Sequence, residues 1–578
     1  MKRITLLTLS FVLSFSFLQA KTVDVEKAVN MATKTIGENQ PQKGIGVSAV
    51  PKNHLTLIKT ASPESNYYVF NKTENNGFVI ISGDDVAKPV LGYSDKGNFD
   101  ENNLPPALVY WLNFLNKEIA YATQNNLPTN PEWNNLTSIG TASVEPLLTT
   151  QWNQIAPYNN FCPEILEQKA QTGCVATAMA QIMKYYNYPP SGIGQSEAYT
   201  TNDGVDLPSV DFEIEYDWGS MLNYYFYYGM ESYIEKNAVA TLMYHCGVSV
   251  KTDYNLTGSG AFLTDAAKAL VNTFRYDRKI LVRDRFFYSN GEWENMLKEQ
   301  IDRRLPVMYR GADTEGYGHI FVCDGYDMGY FHFNWGWGGN YDGYFVTTVL
   351  NPYNNVTYNA GQMMVINIMP EEGGEPLLDI LMWPETNLSS SQSAVNNRQR
   401  FTITGSFWNS SFFTFNGHIG IALVDDEDQI IEIIGQQQHS IPLRLGRQNE
   451  IFSVSVSSNV TPGDYKIRIV AKQADGNDWT IVHGTNGYTD VLDLTVKNSV
   501  GILDVNSFDN ITVYPNPAED IVYISGENIF SVEIKDLSGR IIKQSNETTI
   551  SVKELQSGIY LFVIQTESGI VTKKIVKK

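Results

Sequence analysis

The feature that most constrains this chain is the stretch Gln171-Thr-Gly-Cys-Val-Ala-Thr-Ala-Met-Ala-Gln-Ile-Met-Lys-Tyr-Tyr, in which Cys174 opens a helix-forming run. Met179, Met183 and Tyr186 recur on one face at spacings of four and three, and Pro189-Pro190 stop the run. A thiol at a helix N-terminus feels the positive end of the macrodipole, which favours thiolate. The competing reading is a small buried residue on an apolar helix. The decision lies downstream.

Around His319 the chain reads Gly316-Tyr-Gly-His-Ile-Phe-Val-Cys-Asp-Gly-Tyr-Asp-Met-Gly-Tyr-Phe-His-Phe-Asn-Trp-Gly-Trp-Gly-Gly. Two aromatic-rich apolar runs flank a segment bounded by Gly325 and Gly329, which predicts a β-hairpin. A turn near Asp327 brings His319 to within a residue of register with Asn334 and Trp335. Tyr330, His332 and Asn334 then share one strand face. A histidine oriented by the Asn334 amide and shielded by the Trp335 indole is the general base a cysteine nucleophile requires. Cys174 and His319 are therefore the candidate nucleophile and base. His332 reads as packing. His245-Cys246 lacks the paired spacing of a zinc site, so no metal and no cofactor is expected.

These two segments resemble the signature segments of the streptopain family of cysteine peptidases, over roughly residues 140 to 365. The resemblance implies an α+β, papain-like catalytic domain and endopeptidase activity on protein or peptide substrates. It also implies a bulky apolar preference just ahead of the cleaved residue. Trp152-Asn-Gln-Ile-Ala-Pro-Tyr-Asn is similar to the family's oxyanion-hole segment, which gives that role to Gln154 over the nearby Gln151. Trp335 and Trp337, with the glycines around them, are expected to border the cleft.

The four cysteines, Cys162, Cys174, Cys246 and Cys323, all fall in this central region, so a free Cys174 leaves at most one disulfide. Met-Lys-Arg, an apolar run from Ile4 to Leu18 and a small residue at Ala20 read as a signal peptide over residues 1–20. The run is short for a membrane span. With 43% hydrophobic and 18% charged residues the chain has the makings of packed cores. The net charge of −21 argues against nucleic acid as a partner.

Residues 21–141 predict a helix from Val25 to Ile36, strands at Tyr67–Asn71 and Gly77–Ser82, and an amphipathic helix after Pro105-Pro106. Their place ahead of the catalytic domain (142–369) resembles the family's inhibitory propeptide, an intramolecular partner; the Ser138–Leu148 stretch is the expected maturation region. Pro370-Glu-Glu-Gly-Gly-Glu-Pro reads as a linker. Residues 377–500 alternate as a β-sandwich, with strands near Phe401, His418, Phe452 and Tyr465. Residues 508–578 form a second small β unit whose phrases Val513-Tyr-Pro-Asn-Pro-Ala and Leu555-Gln-Ser-Gly-Ile-Tyr resemble the type IX secretion sorting domain. That resemblance implies a secreted or outer-surface protein, exported through the periplasm, with the secretion machinery as partner. The expected architecture is an α+β propeptide, a papain-like peptidase domain and two β-sandwich-like domains. A surface adhesin on a peptidase-like scaffold is the alternative.

Overall fold

The computed structural model describes residues 21–38, 54–62, 64–134, 142–226, 230–312, 318–349, 361–377, 379–485, 488–497, 511–526, 528–566 and 569–578. The expected signal peptide and the first four residues of the expected maturation region, 138–141, lie outside them.

The N-terminal segment contributes α1 (Val25–Glu38), β1 (Leu55–Lys59), β2 (Tyr67–Lys72), β3 (Phe78–Ser82), β4 (Val90–Ser94) and α2 (Pro106–Gln124). The central domain follows with α3 (Cys174–Tyr186), α4 (Tyr233–Ser249), α5 (Leu263–Asn272), β5 (Leu281–Asp284), α6 (Asn290–Asp302) and β6 (Val307–Ala312). It closes with β7 (Gly318–Asp327), β8 (Tyr330–Asn334), β9 (Gly343–Phe345) and β10 (Met363–Ile366). Pro106 at the first turn of α2 and capping boxes at Ser232/Glu235 and Ser289/Glu292 fix three helix starts.

The two regions share one antiparallel sheet in the order β1-β2-β3-β4-β9-β8-β7-β6-β10-β5, with Ser143–Val144 paired to β7. The join is β4 on β9, where Tyr93 faces Tyr344 and Gly92 faces Phe345. Side chains alternate across this sheet and feed two cores. Val307, Tyr309, Phe321, Cys323 and Phe333 pack with Trp111 and Leu115 of α2; Met308, Ile320, Val322 and Val365 pack with α3, α4 and α5.

The stretch read as a linker is anchored rather than loose: Pro370 bridges to Tyr276, and the Glu371 and Glu372 amides donate to Arg275 and to the Asp277 carboxylate. Beyond it lies a sandwich. Arg400–Asn409 pairs with Gly446–Ser455, and Phe415–Val424 lies between Ile430–Ile441 and Gly463–Gln473. Ile403, Phe407, Ile419, Ile421, Phe452 and Ile469 fill it. Seven C-terminal strands from Thr512 to Lys577 make a three-stranded and a four-stranded sheet around Val522, Val532, Ile534, Phe562 and Ile564. They belong to a separate compact unit. No helix of the described residues is long and apolar enough to cross a membrane.

Candidate active site

Cys174 is the first residue of α3 and half-buried; it is free, as are the buried Cys162, Cys246 and Cys323. The residue before it must be glycine. Gly173 has φ +87, and a Cβ there would meet the Ser259 carbonyl oxygen at 2.9 Å. Val175, Ala176, Ala178, Met179, Ile182 and Met183 bury the rest of the helix, and Asn187 ends it in the left-handed conformation, ahead of the prolines.

Polar residues recur three and seven positions after Cys174. Thr177 donates to the Gly173 carbonyl at 2.9 Å. Gln181, fully buried, accepts from Thr150 Oγ1 at 2.9 Å and the Trp152 amide at 3.3 Å, and donates to Asn334 Oδ1 at 3.0 Å. This one side chain ties the nucleophile's helix to the Trp152–Gln154 loop and to the end of β8. The composition of the helix hid it. The signal that could have found it is a glutamine on Cys174's own helical face amid apolar neighbours.

Gln154 is buried, its amide accepted by Asn153 Oδ1 at 2.7 Å and its carbonyl taking the Thr172 amide at 3.1 Å, two residues before the thiol. Gln151 does not line the same space; its side chain lies against Gly339. Upstream, the Leu147 and Leu148 amides donate to the carbonyl and carboxylate of Asp324. His332 Nδ1 lies 2.6 Å from that buried carboxylate. The residue read as packing is therefore half of an ion pair that fastens this loop to the sheet, and the Asp324 charge favours the imidazolium against the pull of burial.

Cys174, Gln154 and His319 line one cavity of about 630 Å³, bordered by Trp337, Ile320, Met363, Phe262 and Arg310. Two residues of α2, Pro106 and Tyr110, also line it. The His319 ring packs on Tyr110, centroids 4.9 Å apart, and burial pushes its pKa down to about 4. Burial raises the Cys174 thiol despite backbone N–H groups of Ile320 and Val175 directed at the sulfur. Desolvation therefore outweighs the helix terminus, and both groups are neutral in this state. Among the described residues no hydrogen bond joins the two.

Two expectations are corrected. The turn centres on Met328-Gly329, and a bulge between Cys323 and Gly325 shifts the pairing, so Asn334 faces Val322, three residues from His319. The Asn334 amide is spent on Gln181, on the Gly336 N–H at 3.0 Å and on the Thr150 carbonyl at 2.9 Å, not on the imidazole. Trp335 is buried among Phe321, Phe333 and Phe345 with its Nε1 on the Tyr341 carbonyl; Trp337 is the indole at the cavity. His245 is buried against Tyr216, 2.9 Å away.

Three segments of the chain match known families. Residues 152–345 match the peptidase C10 family, residues 20–134 the Spi protease inhibitor family and residues 512–578 the secretion system C-terminal sorting domain. The last marks the chain for export, as a secreted or outer-surface protein. The thiol protease/hemagglutinin PrtT of Porphyromonas gingivalis is 33% identical over 65% of this chain, which spans 45% of PrtT's length. Streptopain of Streptococcus pyogenes is 33% identical over 53% of this chain and 81% of its own. Prointerpain A of Prevotella intermedia is 35% identical over 56% of this chain and all of that one, at a TM-score of 0.47. With its thiol at a helix start and four-fifths of streptopain matched, the chain belongs to the peptidase C10, or streptopain, family of cysteine peptidases, with a papain-like fold.

Proposed function

We propose that the chain is an exported zymogen whose catalytic domain, about residues 142–369, is a cysteine endopeptidase held latent by residues 21–141. The reading rests on one observation: Cys174, Gln154 and His319 line a single cavity that Pro106 and Tyr110 of α2 enter.

Once α2 leaves, water returns to the imidazole and its affinity for protons recovers toward the ordinary range. His319 then takes the Cys174 proton, and the thiolate attacks the scissile carbonyl. The Gln154 side-chain amide and the Cys174 backbone N–H hold the oxyanion, a contribution of about 3 kcal/mol. His319 protonates the leaving amine, and water hydrolyses the acyl-enzyme. Asn334 and Trp335 act as framework: Asn334 positions the Thr150–Gln154 loop through Gln181, and Trp335 fixes the sheet beneath His319. Residues 377–500 stay with the peptidase through the buried Arg283–Asp379 ion pair, and residues 508–578 engage the secretion machinery.

The test is the purified precursor carrying Cys174→Ala. It is expected neither to cleave casein nor to lose its N-terminal segment, while wild-type chain does both and is stopped by a thiol-specific alkylating reagent. Casein cleavage by the variant at the wild-type rate would refute the mechanism.

A further inference from the structure

Residues 21–23 enter the fold at a fixed point, the turn between β3 and β4. Lys21 donates its main-chain N–H to Asp85 Oδ1 at 2.7 Å, and its carbonyl accepts the Asp85 N–H at 3.0 Å. Thr22 bridges to Asp84, and the Val23 amide donates to the Gly83 carbonyl at 2.8 Å. The Val23 carbonyl accepts the Tyr68 hydroxyl at 2.7 Å. Val23 is buried, whereas Lys21 is exposed.

The Asp85 side chain is only 9% exposed. Lys27 Nζ of α1 reaches Oδ2 at 3.1 Å, and Thr129 Oγ1 donates to Oδ1 at 3.2 Å. The contact with Lys21 is no local cap, since 64 positions separate the partners. It falls on the residue after Ala20, where the expected leader ends. While residue 20 is attached, Lys21 offers Asp85 a neutral amide. Hydrolysis of the Ala20–Lys21 bond by a leader peptidase changes that. The water oxygen leaves Ala20 as a carboxylate, and both water protons end on the Lys21 nitrogen, which is an ammonium at neutral pH.

We propose that Asp85 is a receptor for the α-ammonium group that leader removal creates at Lys21, so that export completes the inhibitory fold. One ammonium hydrogen takes the place of the amide hydrogen already directed at Oδ1. The other two face solvent, because Lys21 is exposed. A hydrogen bond between two charged groups is the stronger kind, and this carboxylate is largely withdrawn from water. The gain is passed toward the peptidase. The turn that carries Asp85 runs on to Lys88, whose N–H donates to the Val349 carbonyl of the central domain at 3.2 Å, and the Val349 N–H is held by Glu118 of α2. The inference rests on the exported-zymogen reading above and adds how its latency is set.

The experiment uses the full chain with Cys174→Ala in two forms, one beginning at Lys21 and one with Gly-Ser-Ala ahead of it, each with and without Asp85→Asn. Hydrogen exchange of the amides of residues 83–88 is expected to be about fivefold slower in the form beginning at Lys21, the step from a neutral to a charged donor. Asp85→Asn abolishes that difference, although an asparagine still accepts from the amide of the extended form. The α-amine, followed by peptide mapping, is acylated about fivefold faster in the Asp85→Asn chain beginning at Lys21 than in its Asp85 counterpart. Thermal unfolding checks each fold; if Asp85→Asn fails it, the two forms with Asp85 decide alone. Equal exchange in those two forms, or a difference that persists in a folded Asp85→Asn, overturns the inference. So does a first residue other than Lys21 in Cys174→Ala precursor recovered from the exporting host. Failure of the wild-type chain to cleave casein would instead overturn the peptidase reading.

Discussion

Glu118 is the clearest handle on latency. It sits on α2, fully buried, and accepts hydrogen bonds from the Thr348 hydroxyl and the Val349 N–H (2.8 Å) of the central domain. Arg285 and Lys88 face it, yet burial dominates and lifts its pKa to about 7. Released into water, the carboxyl returns to the ordinary range near 4.3. Closure of α2 thus takes up a proton at Glu118 between those values. This favours the closed state fully at low pH and loses that advantage about tenfold per pH unit as pH rises toward 7. His319 works in the opposite sense. Its pKa of about 4 under Tyr110 means closure expels a proton. That term is full above the ordinary histidine value of about 6.5 and is lost tenfold per unit as pH falls. From about pH 4.5 to 6.5 the two cancel. The wild-type closure is expected to be nearly flat there. Glu118→Gln keeps an acceptor for Val349 but cannot titrate, so it exposes the histidine slope: opening rises up to about 100-fold between pH 6.5 and 4.5. The assay is hydrogen exchange of α2 amides in the full-length Cys174→Ala precursor, expressed as opening free energy after the pH dependence of intrinsic exchange is divided out. An equally flat profile in Glu118→Gln would sink the two-proton account.

Three other outcomes follow from the geometry. Gln154→Ala, measured on matured enzyme, is expected to lower kcat by about 10²- to 10³-fold with little change in KM, since an oxyanion donor acts in the transition state. Trp111→Ala empties a pocket formed by Phe114, Tyr309, Phe321 and Phe333. That costs about 3–5 kcal/mol of α2 docking and should speed precursor maturation without altering the matured enzyme's kcat/KM. Deleting residues 508–578 is expected to leave the protein in the periplasm, read by fractionation; unchanged extracellular protein would refute a sorting role.

What the sequence made legible was local. Helix α3, its cysteine, the hairpin and the sandwich strands each follow from patterns within a dozen residues, because periodicity and turn chemistry are short-range. The failures all lie where distant segments meet. The bulge between Cys323 and Gly325 cannot be read from alternation, since nothing in a single strand announces an extra residue. Its cause lies in tertiary contacts: Asp324 is spent on His332 and on the Leu147 and Leu148 amides of another segment. That shift carried Asn334 away from His319 and into the Gln181 network; of the two indoles expected at the cleft, Trp337 lines the cavity and Trp335 does not. Strand pairing between the N-terminal segment and β9 was invisible for the same reason. It has a consequence for control: a segment that supplies strands β1 to β4 to the shared sheet and seats Tyr110 on the imidazole cannot leave one contact while keeping the other. Latency is therefore tied to the cooperativity of the sheet, and weakening β4 on β9 should free His319 as surely as altering Tyr110 itself.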